Sequence, residues 1–196
     1  MKTEHESHRP SGAALFVIWI VLLATNLNAQ SSIVHNGGFE NGTEGWTLGN
    51  LGMWVNFPDP AEGSIYAEVR TFTYQDLATV PGQTYHLQFA MAGNFNWPAP
   101  ITMQISWGND LVATPTWNPA GHTINNLGWI YSDFELLATA PVTRLEFLNP
   151  GQINQSPMLD TVSVIPVPEP SPFALLVLGN LPIAYAFIFR RGKTVT

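Results

Sequence analysis

Apolar and polar residues alternate in short stretches along the middle of this chain. Tyr85, Leu87, Phe89 and Met91 alternate with His86, Gln88 and Ala90, directly after a Val80-Pro81-Gly82-Gln83 turn. Ile101, Met103, Ile105 and Trp107 alternate with Thr102, Gln104 and Ser106 and run into Gly108-Asn109-Asp110. Ile65, Ala67 and Val69 repeat the pattern, as do Thr143, Leu145 and Phe147, and then Val162 and Val164. A period of two puts one face of a strand in a core and the other in water. No stretch of ten or more residues carries a helical stripe, and no repeat of fixed period is present. Short strands between Gly, Pro and Asn turns predict an all-β sandwich.

The two ends read differently. Residues 13–24 are twelve consecutive apolar residues behind Lys2 and Arg9. That length suits the core of a signal peptide better than a membrane span. Leu27-Asn28-Ala29 provides a cleavage site after Ala29; an uncleaved signal anchor is the alternative, because Leu27 is not small. Near the other end, residues 173–189 form an apolar run of 17, interrupted by Asn180 and Pro182. This is the short limit of a transmembrane helix, and a bilayer helix tolerates such breaks. Arg190, Arg191 and Lys193 follow and hold the C-terminus in the cytoplasm. The chain thus divides into residues 1–29 (signal peptide), 30–165 (β-sandwich domain) and 166–196 (anchor tail).

Charge narrows the chemistry. The 196 residues hold no cysteine, which excludes disulfides, thiolate metal sites and a cysteine nucleophile. Residues 30–165 carry eleven carboxylates against Arg70 and Arg144, a net of −9, and no lysine. Nucleic acid and anionic lipid are poor partners for such a surface; neutral polymers and divalent cations suit it. His35, His86 and His122 lack the spacing of a zinc helix, and there is no Gly-x-Ser-x-Gly elbow. His86 reads as a surface residue. No pair of carboxylates is singled out for acid–base work. The expectation is a protein that is not an enzyme.

The tail has a recognisable composition. Val167-Pro168-Glu169-Pro170-Ser171, a short span and a terminal basic cluster together resemble the PEP-CTERM sorting domain, over residues 167–196. The resemblance implies recognition at Pro168, Glu169 and Pro170 by an exosortase, a membrane-embedded cysteine protease, with Arg190 and Arg191 as the cytoplasmic stop. It implies an exported protein, transiently anchored in the inner membrane and then associated with exopolysaccharide in the envelope or matrix. An ordinary anchor with a proline spacer is the plainer alternative.

The central domain has its own resemblance. Asn36-Gly37-Gly38-Phe39-Glu40-Asn41-Gly42, then Gly45-Trp46, and the closing Leu159-Asp160-Thr161-Val162-Ser163-Val164 are similar to the galactose-binding-like jelly roll shared by many carbohydrate-binding modules. That resemblance implies a structural calcium ion held by Glu40 and Asp160, in the first and last strands, with backbone carbonyls completing the oxygen shell. The alternative is that Asp160 accepts backbone hydrogen bonds and Glu40 is exposed.

Tryptophan supplies the candidate glycan surface. Trp46 and Trp107 belong to the core by position. Trp97 and Trp117 lie among Pro and Asn, in Asn94-Phe95-Asn96-Trp97-Pro98 and Pro115-Thr116-Trp117-Asn118-Pro119. A sugar ring needs an apolar face to stack on and polar groups for its hydroxyls, which loop Trp and Asn combine. Trp97, Trp117, Trp54, Asn94 and Asn96 are therefore the candidate contacts, against the alternative that these aromatics only cover the ends of the sandwich. The expected function is an exported, non-catalytic protein associating with exopolysaccharide. A structural or adhesive matrix protein without sugar binding is the alternative, and a small glycan-active enzyme ranks third.

Overall fold

A computed structural model describes residues 30–55, 58–97 and 99–168. The described residues form β1 (Thr47–Leu48), β2 (Leu51–Val55), β3 (Ile65–Val69), β4 (Phe72–Ala78), β5 (Thr84–Gly93) and β6 (Ile101–Thr102). These are followed by β7 (Gln104–Trp107), β8 (Asp110–Ala113), β9 (Thr116–Trp117), β10 (Ile130–Leu137), β11 (Val142–Leu148) and β12 (Pro157–Pro166). A 3-10 turn at Ile153–Gln155 is the only helical element among them. Sheet A has the order β1-β4-β11-β7-β8 and sheet B the order β10-β5-β12-β3-β2, while β6 and β9 form a small ribbon. This is the β-sandwich that the alternation predicts, in the jelly-roll form that the resemblance implies. Gln30–Val167 forms one compact unit.

The inward faces meet in one aromatic-rich core. Phe89 of β5 meets Phe147 of β11 edge to face at 5.4 Å, and Tyr85 of β5 lies 5.9 Å from Trp107 of β7. Tyr85, Leu87, Phe89 and Met91 are all buried, as are Ile101, Met103, Ile105 and Trp107. The latter run is not one strand. Ile101 and Thr102 pair with β9, the Met103 N–H donates to the Pro115 carbonyl, and Gln104 onward joins β11.

The opening segment departs from expectation. Residues 33–46 coil into turns, so Glu40 is not in a first strand. Asn36 organises them: its Nδ2 donates to the carbonyls of Gly42 and Glu44, and its Oδ1 accepts from the Asn41 N–H. Trp46 Nε1 donates to the Asn36 carbonyl, and its ring stacks on Phe39 at 5.2 Å. Gly37 lies against β12, where a Cβ would come within 1.8 Å of the Val162 carbonyl oxygen. Only glycine fits there. The knot of turns is thereby fastened to the last strand.

Residues 1–29 and the tail from Glu169 onward, including Pro170, Arg190 and Arg191, lie outside the described residues; Pro168 is described and exposed. Among the described residues no helix is long and apolar enough to cross a membrane.

Candidate functional site

The outward face of sheet A gathers aromatic and polar side chains in register. Thr47, Tyr74, Glu146, Ser106 and Leu111 lie across five adjacent strands in one row. Phe72, Leu148 and Gln104 form the next row, and Asp76 sits opposite Arg144 on the other side. The Phe72 and Tyr74 rings are near-parallel, with centroids 6.2 Å apart. The Arg144 guanidinium lies over Tyr74, its Cζ 3.7 Å from the ring centroid. Arg144 also makes a fork to Asp76, with Nε to Oδ1 at 2.8 Å and Nη2 to Oδ2 at 3.0 Å. These bonds hold the Asp76 carboxyl below its ordinary range and raise Arg144.

The face therefore has two aromatic rings, a guanidinium fixed flat by stacking and by a bidentate partner, and Glu146, Ser106 and Gln104 beside them. A guanidinium ordered in this way presents N–H donors with little further entropy to lose. Beside Asp76, Arg144 and Glu146 a groove of about 680 Å³ opens, extending past Asn109 and Asp110. A smaller depression of about 280 Å³, lined by Thr102, Asn149 and Gln155, lies at the opposite end of β11. Aromatic and polar groups along such a strip are suited to an extended polyol chain.

The residues singled out in the sequence are scattered. Trp117 is 1% exposed and lies in β9 opposite Ile101. Its Nε1 donates to the carbonyls of Leu127 and Gly128, and its ring stacks on His122 at 5.1 Å. A side chain so enclosed has no face for a sugar, so Trp117 leaves the candidate set. The Pro and Asn residues around it end strands rather than mark a surface loop. Trp97 is half-buried against the core, and its N–H closes a turn on the Asn94 carbonyl. The Asn94 side-chain oxygen accepts from the Asn96 N–H, while Asn96 itself is exposed. Trp54 of β2 pairs in register with Tyr66 of β3. Phe72, Tyr74, Arg144 and Glu146 were not anticipated.

Glu40 and Asp160 do come together, on the outer side of sheet B around Gly38. Asp160 is fully buried. Its Oδ2 accepts from the Ala61 and Glu62 N–H groups at 3.1 and 3.2 Å, and its Oδ1 from the Thr161 N–H at 2.7 Å. Glu40 Oε1 accepts from the Ser64 and Ile65 N–H groups at 2.8 and 2.9 Å. The two carboxylates thus grip both ends of one loop. Burial pushes the Asp160 carboxyl up to about 6 against the pull of its three N–H donors, and the Glu40 charge adds to the rise.

The donor set agrees in kind with a hard cation. Two carboxylates of like charge lie together, while Arg70 pairs with Glu68 and Arg144 with Asp76. An ionised carboxylate has about four acceptor sites, so capacity remains on both after these bonds. Among the described residues no group of three His, Cys, Asp or Glu side chains is placed to hold a metal, so the remaining ligands would be backbone carbonyls.

No protein-family description matches this sequence, and no curated protein matches it. Solved structures do match the fold. TmCBM61, solved in complex with β-1,4-galactotriose, is 14% identical, with a TM-score of 0.52 over 69% of this chain and 99% of that one. The CBM22-1 xylan-binding domain of Paenibacillus barcinonensis Xyn10C is 12% identical, with a TM-score of 0.51 over 72% of this chain and 94% of that one. The CBM22-1-CBM22-2 tandem of the same protein is 17% identical, with a TM-score of 0.52 over 74% of this chain and 48% of that one. At such identities the likeness is one of fold: residues 30–167 have the jelly-roll sandwich of carbohydrate-binding modules.

Proposed function

We propose that this protein is an exported, non-catalytic glycan-binding module that associates with a neutral polysaccharide along the outward face of sheet A. The observation that carries the reading is the Phe72, Tyr74 and Arg144 arrangement, with Glu146, Ser106 and Gln104 beside it. The fold likeness to modules described with a galactotriose and with xylan supports a β-1,4-linked chain as the ligand class. The domain charge of −9 favours uncharged over acidic polymers. The half-buried Trp97, with Asn94 and Asn96, is a secondary contact.

Affinity electrophoresis of the exported protein in gels containing xylan or β-1,4-galactan tests this. Tyr74→Ala is expected to weaken retention about tenfold, a loss of about 1.4 kcal/mol. Its midpoint should fall by only a few degrees, because Tyr74 lies on an outer face. Trp97→Ala is expected to weaken retention less and to lower the midpoint more. Full retention by Tyr74→Ala would remove sheet A as the binding face.

The tail resemblance supports export, exosortase processing near Pro168-Glu169-Pro170, and delivery from the inner membrane to the envelope or matrix. Intact-mass measurement on protein released by the producing cell is expected to show loss of Arg190 and Arg191. A mature chain retaining them would indicate a plain anchor.

A calcium ion held by Glu40 and Asp160 is part of the same proposal. When bound it would offset the like charge of the pair and tie the loop at residues 61–65 to β12. Calcium a hundredfold above its dissociation constant stabilises the folded state by about 2.7 kcal/mol. The melting midpoint should therefore rise by several degrees over that in chelator, and Asp160→Asn should remove most of the rise. Equal midpoints for the unmutated protein would leave both carboxylates as hydrogen-bond acceptors only.

A further inference from the structure

Sheet B carries a second groove on its own outward face. The register places Tyr131, Ala90 and Asp160 in one row across β10, β5 and β12, and Asp133, Gln88 and Ser163 in the next. Asp160 is covered because its carboxylate pulls the Ala61–Glu62 backbone over it. That loop is one wall of the groove. Tyr131, 69% exposed, stands on the other side. Between them Ala90 leaves space, and a bulge breaks the register between Asp160 and Ser163, with Thr161 at φ 54°. The result is a groove of about 630 Å³, within the size range of small-ligand sites.

Its chemistry is selective. Among the described residues that line the groove, Tyr131 is the exposed aromatic ring. Gln88 offers an amide with donors and acceptors, Thr161 and Ser163 offer hydroxyls, and Glu62 and Asp133 offer carboxylates. Among the described residues neither lysine nor arginine lines it, and His86 is bonded to Asp133 at 3.3 Å. A sugar ring matches this set, with C–H groups against Tyr131 and hydroxyls on the amide, hydroxyl and carboxylate groups. A uronate or sulfated sugar would meet the carboxylates of Glu62 and Asp133.

We propose that this groove is a second binding site, which takes an uncharged glycosyl unit stacked on Tyr131 with its hydroxyls on Gln88, Ser163 and Asp133. Sheets A and B turn their outer faces to opposite sides of the sandwich. One molecule therefore holds two polysaccharide strands at once; this bridging, though not the groove itself, rests on the reading of sheet A.

The test uses the exported protein with soluble xylan and β-1,4-galactan as probes, and polygalacturonate as the acidic control. Retention in affinity gels and turbidity from cross-linked polymer are both read. Tyr131→Ala and Gln88→Ala are expected to weaken retention roughly five- to tenfold and to abolish turbidity, while Tyr131→Phe keeps most of both. The Tyr74→Ala, Tyr131→Ala double variant should lose the retention that either single variant leaves. Unchanged melting midpoints show that the losses are not unfolding. Wild-type retention and turbidity in Tyr131→Ala would overturn the second site while leaving the sheet A face intact. Loss in Tyr131→Ala with none in Tyr74→Ala would overturn the sheet A reading and leave the groove standing. Absence of retention of the unmutated protein on either neutral polymer would overturn both, and so would stronger retention on polygalacturonate than on them.

Discussion

Trp117→Ala is expected to cost about 3–5 kcal/mol, the usual range for truncating a buried aromatic. Trp117 is enclosed by Ile101, His122 and the β5 end, where a Cβ on Gly93 would lie 2.7 Å from the indole Cε3. Gly93 therefore makes room for the ring, and alanine at 117 leaves a cavity that a backbone this close cannot collapse to fill. The carbonyls of Leu127 and Gly128 also lose the indole N–H. For a domain of this size the midpoint should fall by roughly 10–20 °C. Trp117→Phe keeps most of the apolar contact and loses the hydrogen bonds, so it should cost about 1–2 kcal/mol. A calorimetric melt decides the matter: a Trp117→Ala midpoint within a degree or two of wild type would contradict the burial argument.

Asp160 is expected to give the domain a pH dependence opposite in sign to ordinary acid denaturation. Its folded-state carboxyl titrates at about 6, against 3.8 for an unperturbed group. Between those values the folded protein keeps a proton that the unfolded chain has released. Stability therefore falls as pH rises through this window and is flat above it. The full contribution is about 3 kcal/mol at most. In chelator, the melting midpoint at pH 5 should exceed that at pH 7.5 by several degrees. Asp160→Ala should remove the slope and cost about 2–4 kcal/mol, more at pH 5 than at pH 7.5, because the Thr161 N–H and the loop N–H groups lose their acceptor. A wild-type midpoint that runs parallel to that of Asp160→Ala from pH 5 to 7.5 would show that Asp160 is ionised throughout.

The parts of the fold that were legible in the sequence are those where alternation and burial agree. Tyr85, Leu87, Phe89 and Met91 point inward as their period predicts. Strand β4 hid the site because its pattern is inverted. Phe72 and Tyr74 face outward, while Thr73 and Gln75 face inward, where Gln75 Oε1 accepts the His35 N–H and Nε2 donates to the His35 carbonyl. A reader who assumes that apolar means buried assigns that face to the core. Arg144 and Asp76 are 68 residues apart, and only the β4–β11 register brings them together. Trp117 misled in the opposite direction, since its Pro and Asn neighbours look like a loop while its indole N–H is satisfied inside. Glu40 and Asp160 were paired by the resemblance of the opening and closing motifs, but the loop that they grip is visible only in three dimensions.

The last strand lies in the middle of a sheet. β12 sits between β5 and β3, its Val162 N–H donates to the Gly37 carbonyl, and its Val164 carbonyl accepts the Ile33 N–H. Until residue 166 has emerged, sheet B is two separate halves and the opening knot has nothing to dock against. Contacts of this sequence separation close late and slowly. A chain threaded through a membrane from its N-terminus would have the two halves of sheet B without the strand that joins them until almost the whole domain had crossed, and the sandwich would close only on the arrival of that strand.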